Sequence, residues 1–95
     1  MNNELFESII SSYKFVEKSL PDEMNGLFKY YELKFEATDS RPDLTLYWYE
    51  DGTFSLYRTE GFAAVKLCDD KLNMYNLKLA IENNITDKQL KRLMI

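Results

Sequence analysis

Two periods organise the hydrophobic positions of this chain. In NNELFESIISSYKFVEKSLP, the residues Leu5, Phe6, Ile9, Ile10, Tyr13, Val16 and Leu20 recur at three- and four-residue steps. That spacing predicts an amphipathic helix over about residues 3–19, capped by Asn2 or Asn3 and stopped near Pro21. After an Asn25-Gly26 turn the period drops to two: Tyr31, Leu33 and Phe35 point one way, Tyr30, Glu32 and Lys34 the other, as in a half-buried strand. TDSRPD interrupts it, because Pro42 cannot join a central ladder and Asp and Ser favour turns.

LTLYWYEDGTFSLYR, residues 44–58, reads as a hairpin whose loop length decides which side chains share a face. A two-residue Asp51-Gly52 loop would mix apolar and polar residues on both sides. A three-residue loop, Glu50-Asp51-Gly52 with Gly52 left-handed, sets Trp48 opposite Phe54 and Leu46 opposite Leu56. One face then collects Leu44, Leu46, Trp48, Phe54 and Leu56, and the other Thr45, Tyr47, Tyr49, Thr53, Ser55 and Tyr57. GFAAVKLC extends the sheet, with a Glu60-Gly61 turn placing Val65 opposite Leu56 and Leu67 opposite Phe54. Pairing Leu33 with Leu46 and Tyr31 with Trp48 sets Tyr30 beside Tyr49 and Glu32 beside Tyr47. The expected sheet is a four-stranded antiparallel meander carrying Tyr30, Tyr47, Tyr49 and Tyr57 on its second face.

In DDKLNMYNLKLAIENN, Leu77, Leu79 and Ile81 alternate like a strand, while Met74, Leu77 and Ile81 form a helical row. Its length, the Asp69-Asp70 start and the Asn83-Asn84 stop favour a helix. In ITDKQLKRLMI, Thr86 and Gln89 form a capping box, with Ile85 placed to staple onto Leu90. The fold class is therefore α+β: an N-terminal helix, a four-stranded antiparallel meander and two C-terminal helices in one compact domain, residues 1–95. A sheet of four strands is about 19 Å wide and a helix with side chains occupies about 10–12 Å, so one face takes two helices. The third either leans on those two or folds across the tyrosines.

Composition narrows the chemistry. The 95 residues include no histidine, which removes the commonest general base and metal ligand. The pairs Asp22-Glu23, Glu50-Asp51 and Asp69-Asp70 fall in turns or at a helix start, where carboxylates solvate and cap. Cys68 is the sole cysteine and has two acids beside it rather than a base, so it is neither an activated nucleophile nor half of a disulfide. Its surroundings are also too poor in ligands for zinc. Glycines 26, 52 and 61 are isolated, so there is no phosphate-cradling loop, and Asp51-Gly52 lacks the spaced ligands of a calcium hand. The expectation is a protein that is not an enzyme and needs no cofactor or metal. No apolar run approaches the ~18 residues of a membrane span, and MNNELFESII lacks the basic and apolar regions of a signal peptide, which points to the cytoplasm.

Net charge is -4. Residues 1–65 hold six Lys and Arg against twelve Asp and Glu, whereas residues 66–95 hold six against four. Such a chain suits a basic partner and disfavours non-specific nucleic-acid binding. The tyrosine face supplies the surface: Tyr30, Tyr47, Tyr49 and Tyr57, rimmed by Glu32, Glu36, Glu50 and Asp51. Tyrosine brings large, rigid contact area with a hydrogen-bonding tip. The expected function is to bind another protein with a basic surface through Tyr30, Glu32, Tyr47, Tyr49, Glu50, Asp51 and Tyr57. Small size, acidity and missing catalytic groups are shared with phage anti-defence and toxin-immunity proteins, so an inhibitor or antagonist of a nucleic-acid-handling protein fits. The alternative is a single-stranded nucleic-acid binder that stacks bases on the tyrosines beside Lys34 and Lys66. Lys88, Lys91 and Arg92 suit the negative end of the last helix and add little to that alternative.

Overall fold

The computed structural model describes residues 3–20, 26–36, 40–68 and 71–93. Helix α1 spans Asn3–Tyr13, followed by strands β1 (Val16–Lys18), β2 (Leu27–Leu33), β3 (Leu44–Tyr49), β4 (Phe54–Glu60) and β5 (Ala63–Lys66), then α2 (Met74–Asn84) and α3 (Asp87–Leu93). The α+β class and the helices at both ends stand as expected. The sheet has five antiparallel strands rather than four, in the order β1-β2-β3-β4-β5.

The extra strand comes from the tail of the expected first helix, which ends at Tyr13 instead of about residue 19. Lys14 adopts φ +57°, and the Phe15 amide donates to the Ile10 carbonyl at 3.1 Å. That is the six-to-one closure of a left-handed helix C-terminus, with apolar residues at both ends of the bond. Phe15 then turns into the core at 6 % exposure. Val16, Glu17 and Lys18 pair with Glu32, Tyr31 and Tyr30. Pro21, Asn25 and the Asp69-Asp70 pair, expected to mark boundaries, lie outside the described residues, as does Asn2.

The central hairpin has the expected register. Trp48 pairs with Phe54 and Leu46 with Leu56, and Gly52 sits at φ +87° in a three-residue loop. The Gly52 amide donates to the Tyr49 carbonyl and the Tyr49 amide to the Thr53 carbonyl. Both flanking pairings slide by two residues, which preserves the faces. Leu33 pairs with Leu44 and Tyr31 with Leu46, so Tyr30 lies opposite Tyr47 and Glu32 opposite Thr45. The slide has a local cause: the Asp43 amide donates to the Leu33 carbonyl at 2.8 Å, while the Asp43 carboxylate accepts from the Phe35 amide at 2.7 Å. On the other side Val65 pairs with Arg58 rather than Leu56, around a Gly61-Phe62 turn with Gly61 at φ +61°. This leaves Phe54 free to exchange both backbone hydrogen bonds with Leu72, at 2.8 and 2.7 Å.

That bridge displaces the start of α2 from the expected acidic pair. Asn73 caps the helix instead, its side chain accepting from the Asn76 amide at 2.8 Å. The capping box before α3 forms as expected, with the Thr86 amide donating to Gln89 and the Gln89 amide to Thr86. Phe6 and Ile9 of α1 and Leu77 and Ile81 of α2 pack onto Leu33, Leu44, Leu46, Phe54 and Leu56. Ile85, between α2 and α3, packs against the same cluster. The core therefore sits on one face of the sheet.

Candidate functional site

The other face carries the tyrosines. Because directly paired residues share a side of the sheet, the pairs Tyr30–Tyr47 and Thr45–Tyr57 bring Tyr30, Tyr47 and Tyr57 together across β2, β3 and β4. Tyr30 stacks on Tyr47 at 5.8 Å between centroids, and Tyr57 meets Tyr47 edge-on at 5.4 Å. Tyr49 lies one step along β3 under a different partner, the Lys71 ammonium, 4.3 Å from its ring centroid. All four rings are half-buried, and none belongs to the core cluster. Burial is the first cause that pushes the Tyr47 phenol above its ordinary pKa, and Tyr57, Tyr30, Tyr49 and Glu32 add to it. At the centre sits Ser55, opposite Tyr47, 1 % exposed, its hydroxyl without a hydrogen-bond partner.

The acidic rim is partly neutralised by the chain itself. Glu32 pairs with Lys18 at 3.8 Å, and Asp51 with Lys71 at 3.6 Å. The Asp51 carboxyl is held below its ordinary pKa chiefly by the Thr53 hydroxyl and amide that donate to it, with Lys71 contributing. Glu50 is exposed and has no ion-pair partner among the described residues. The expected site residues thus divide into a tyrosine platform, two internally paired acids and one unpaired acid.

Glu50 and Tyr49 lead around the sheet end into a groove that the periodicity of the sequence did not announce. Between α1 and strands β1–β3 lies a depression of about 620 Å³ with walls of Phe6, Phe28, Tyr31 and Trp48. Its origin is a β-bulge. Leu27 pairs with Tyr49 but Lys29 pairs with Trp48, so Phe28 is the extra residue. Its ring turns to meet Trp48 edge-on at 4.9 Å; bulges commonly re-aim a side chain in this way. Phe28 remains 46 % exposed while Leu27, on the tyrosine side, is buried. The signal in the sequence was the consecutive apolar pair Leu27-Phe28, which breaks the alternation at the strand start. Glu7 and Glu17 also line this groove, and burial, reinforced by Glu17 and Glu7, pushes the Tyr31 phenol up to about 12.

The chain matches no protein-family model, no curated protein and no solved structure. Among the described residues, no helix is long and apolar enough to cross a membrane.

Proposed function

We propose that this chain is a non-catalytic binding module for another protein with a basic surface, acting as an inhibitor or antagonist of a larger, nucleic-acid-handling protein in the cytoplasm. The reading is carried by the tyrosine platform: the Tyr47 ring in contact with both Tyr30 and Tyr57, and a fourth tyrosine beside them, outside the core and on the face opposite the packed helices. Rings fixed by their neighbours lose little rotamer freedom on binding, so their contact area converts efficiently into affinity. A net charge of -4 adds attraction for a basic partner. Neither cofactor nor metal enters this role.

Single-stranded nucleic acid remains the competing ligand, since Lys66 pairs with Tyr57 and so lies on the tyrosine side. One comparison separates the two. Immobilised protein should capture a basic protein from host lysate, and Tyr47→Ala with Tyr57→Ala should lose that capture while retaining a cooperative thermal transition. Equal capture by the folded double variant, or by Tyr57→Ala alone at the same yield as a surface control, rejects the platform. A gel shift with single-stranded DNA at low salt should show no complex at micromolar protein. Salt-sensitive binding there would transfer the platform to nucleic acid.

A further inference from the structure

We propose that the groove between α1 and strands β1–β3 docks a basic peptide segment of the partner protein, taking a Lys or Arg side chain with its stem on Phe28 and Trp48 and its cationic head among Glu7, Glu17 and Glu50. This deepens the protein-binding reading and rests on it. The volume, about 620 Å³, lies within the range of ordinary ligand sites. Its walls are aromatic and its rim is anionic, the combination that suits a cation on an apolar stem. Three carboxylates face one lysine, so the lining carries a surplus of two negative charges.

The chain already demonstrates the chemistry with its own ammonium. Lys29 Nζ lies 5.6 Å from the Phe28 ring centroid and 3.5 Å from Glu17 Oε1, using a ring and a carboxylate together. Glu7 and Glu50 have no such partner among the described residues and remain exposed. An anionic ligand would face the surplus charge, and a neutral apolar one would leave it unused. The raised Tyr31 phenol is consistent with negative potential from Glu17 and Glu7 reaching the groove wall. Tyr49 lines the groove and alternates onto the same side of β3 as Tyr47, so one partner can span the two surfaces.

Trp48 is the sole tryptophan and lines the groove, which makes its emission a direct reporter. Titration of the full chain with an acetylated, amidated tetra-arginine peptide should change Trp48 emission saturably, and added salt should weaken the complex. Glu7→Gln with Glu50→Gln should reduce affinity roughly fivefold, as expected for losing two partly exposed charge pairs. Asp87→Asn, a charge change on α3, should leave it unaltered. No emission change at millimolar tetra-arginine, an equal response to tetra-glutamate, or wild-type affinity in the folded double Gln variant would overturn the assignment. Since Tyr47 and Tyr57 do not line the groove, failure of this titration with Tyr-dependent capture intact would remove the groove and leave the platform. Intact titration with capture unaffected by the Tyr variants would do the reverse.

Discussion

Replacing Ser55 by Ala should make the protein more stable. Ser55 is the second residue of β4, 1 % exposed, with no hydrogen-bond partner for its hydroxyl oxygen. A buried hydroxyl that gives up water without finding another partner costs about 1–3 kcal/mol. Alanine keeps the β-carbon beside Tyr47 and removes only the oxygen, forfeiting dispersion contacts of a few tenths of a kcal/mol. The net gain is about 1 kcal/mol, which for a domain of this size corresponds to a rise of about 4–8 °C in Tm. Thermal and urea unfolding followed by circular dichroism measure it, with the urea midpoint rising and its slope unchanged. Thr53→Val supplies the opposite sign: it keeps the shape but deletes a hydroxyl that donates to Asp51, so stability should fall by up to about 1 kcal/mol. The reasoning is refuted if Ser55→Ala loses about 1 kcal/mol or more. That result would mean that the hydroxyl is satisfied in solution, by a tyrosine phenol or a trapped water. Capture of a partner should be unchanged in Ser55→Ala, because every ring of the platform is retained.

Gly52→Ala should destabilise the protein by about 1–2 kcal/mol, because φ +87° is unfavourable for any residue with a β-carbon; an unchanged urea midpoint would show that the loop relaxes without strain. Alkaline titration followed by phenolate absorbance should show Tyr31 ionising last, near pH 12. Its folded pKa is raised above its unfolded value, so its stabilisation is complete below about pH 10 and is lost as pH rises towards 12. Tyr31→Phe should flatten the fall in stability over that interval, and an unchanged slope would count against Tyr31 as its source.

Which parts of this fold the sequence discloses depends on whether a single residue type or a competition between interactions decides the geometry. Gly52 is the clear case of the first kind. Only one loop length both uses its left-handed conformation and keeps aliphatic residues together, so the Trp48–Phe54 pairing follows from local chemistry. The capping box at Thr86 and Gln89 is equally local. The end of α1 is the second kind. Tyr13, Val16 and Leu20 continue the helical rows, and no glycine stands at residue 14 to announce a stop. The decision falls to Phe15, which gains more by entering the core at 6 % exposure than Lys14 loses by adopting a left-handed backbone. Propensity cannot see that exchange because its benefit lies in a tertiary contact. The two-residue slides of β2 and β5 are invisible for a related reason: period-two patterning fixes the face but is blind to even shifts. Asp43 and Leu72 settle those shifts through backbone bonds that no alternation encodes.

The same distinction explains why the tyrosine platform was legible while the groove was not. Tyr30, Tyr47 and Tyr57 share a face under any even register, so their assembly does not depend on which even register forms. The groove depends on odd events: a bulge that moves Phe28 across the sheet plane, and a strand made from residues that pattern as helix and bring Glu17 to the edge. Each event reverses the side on which a chain segment presents its residues, and together they exchange an alternating surface for an aromatic wall with carboxylates at its rim. The charge balance shifts with them. Glu32 and Asp51, which the sequence places around the tyrosines as an acidic rim, are partnered by Lys18 and Lys71. Glu7 and Glu50 carry no ion pair among the described residues and line the groove. Two pairings, Lys18–Glu32 and Lys71–Asp51, thus set the charge of the two surfaces apart. On the proposed reading, the tyrosines would provide rigid area with little net field, and the groove the field that orients a cationic partner towards that area.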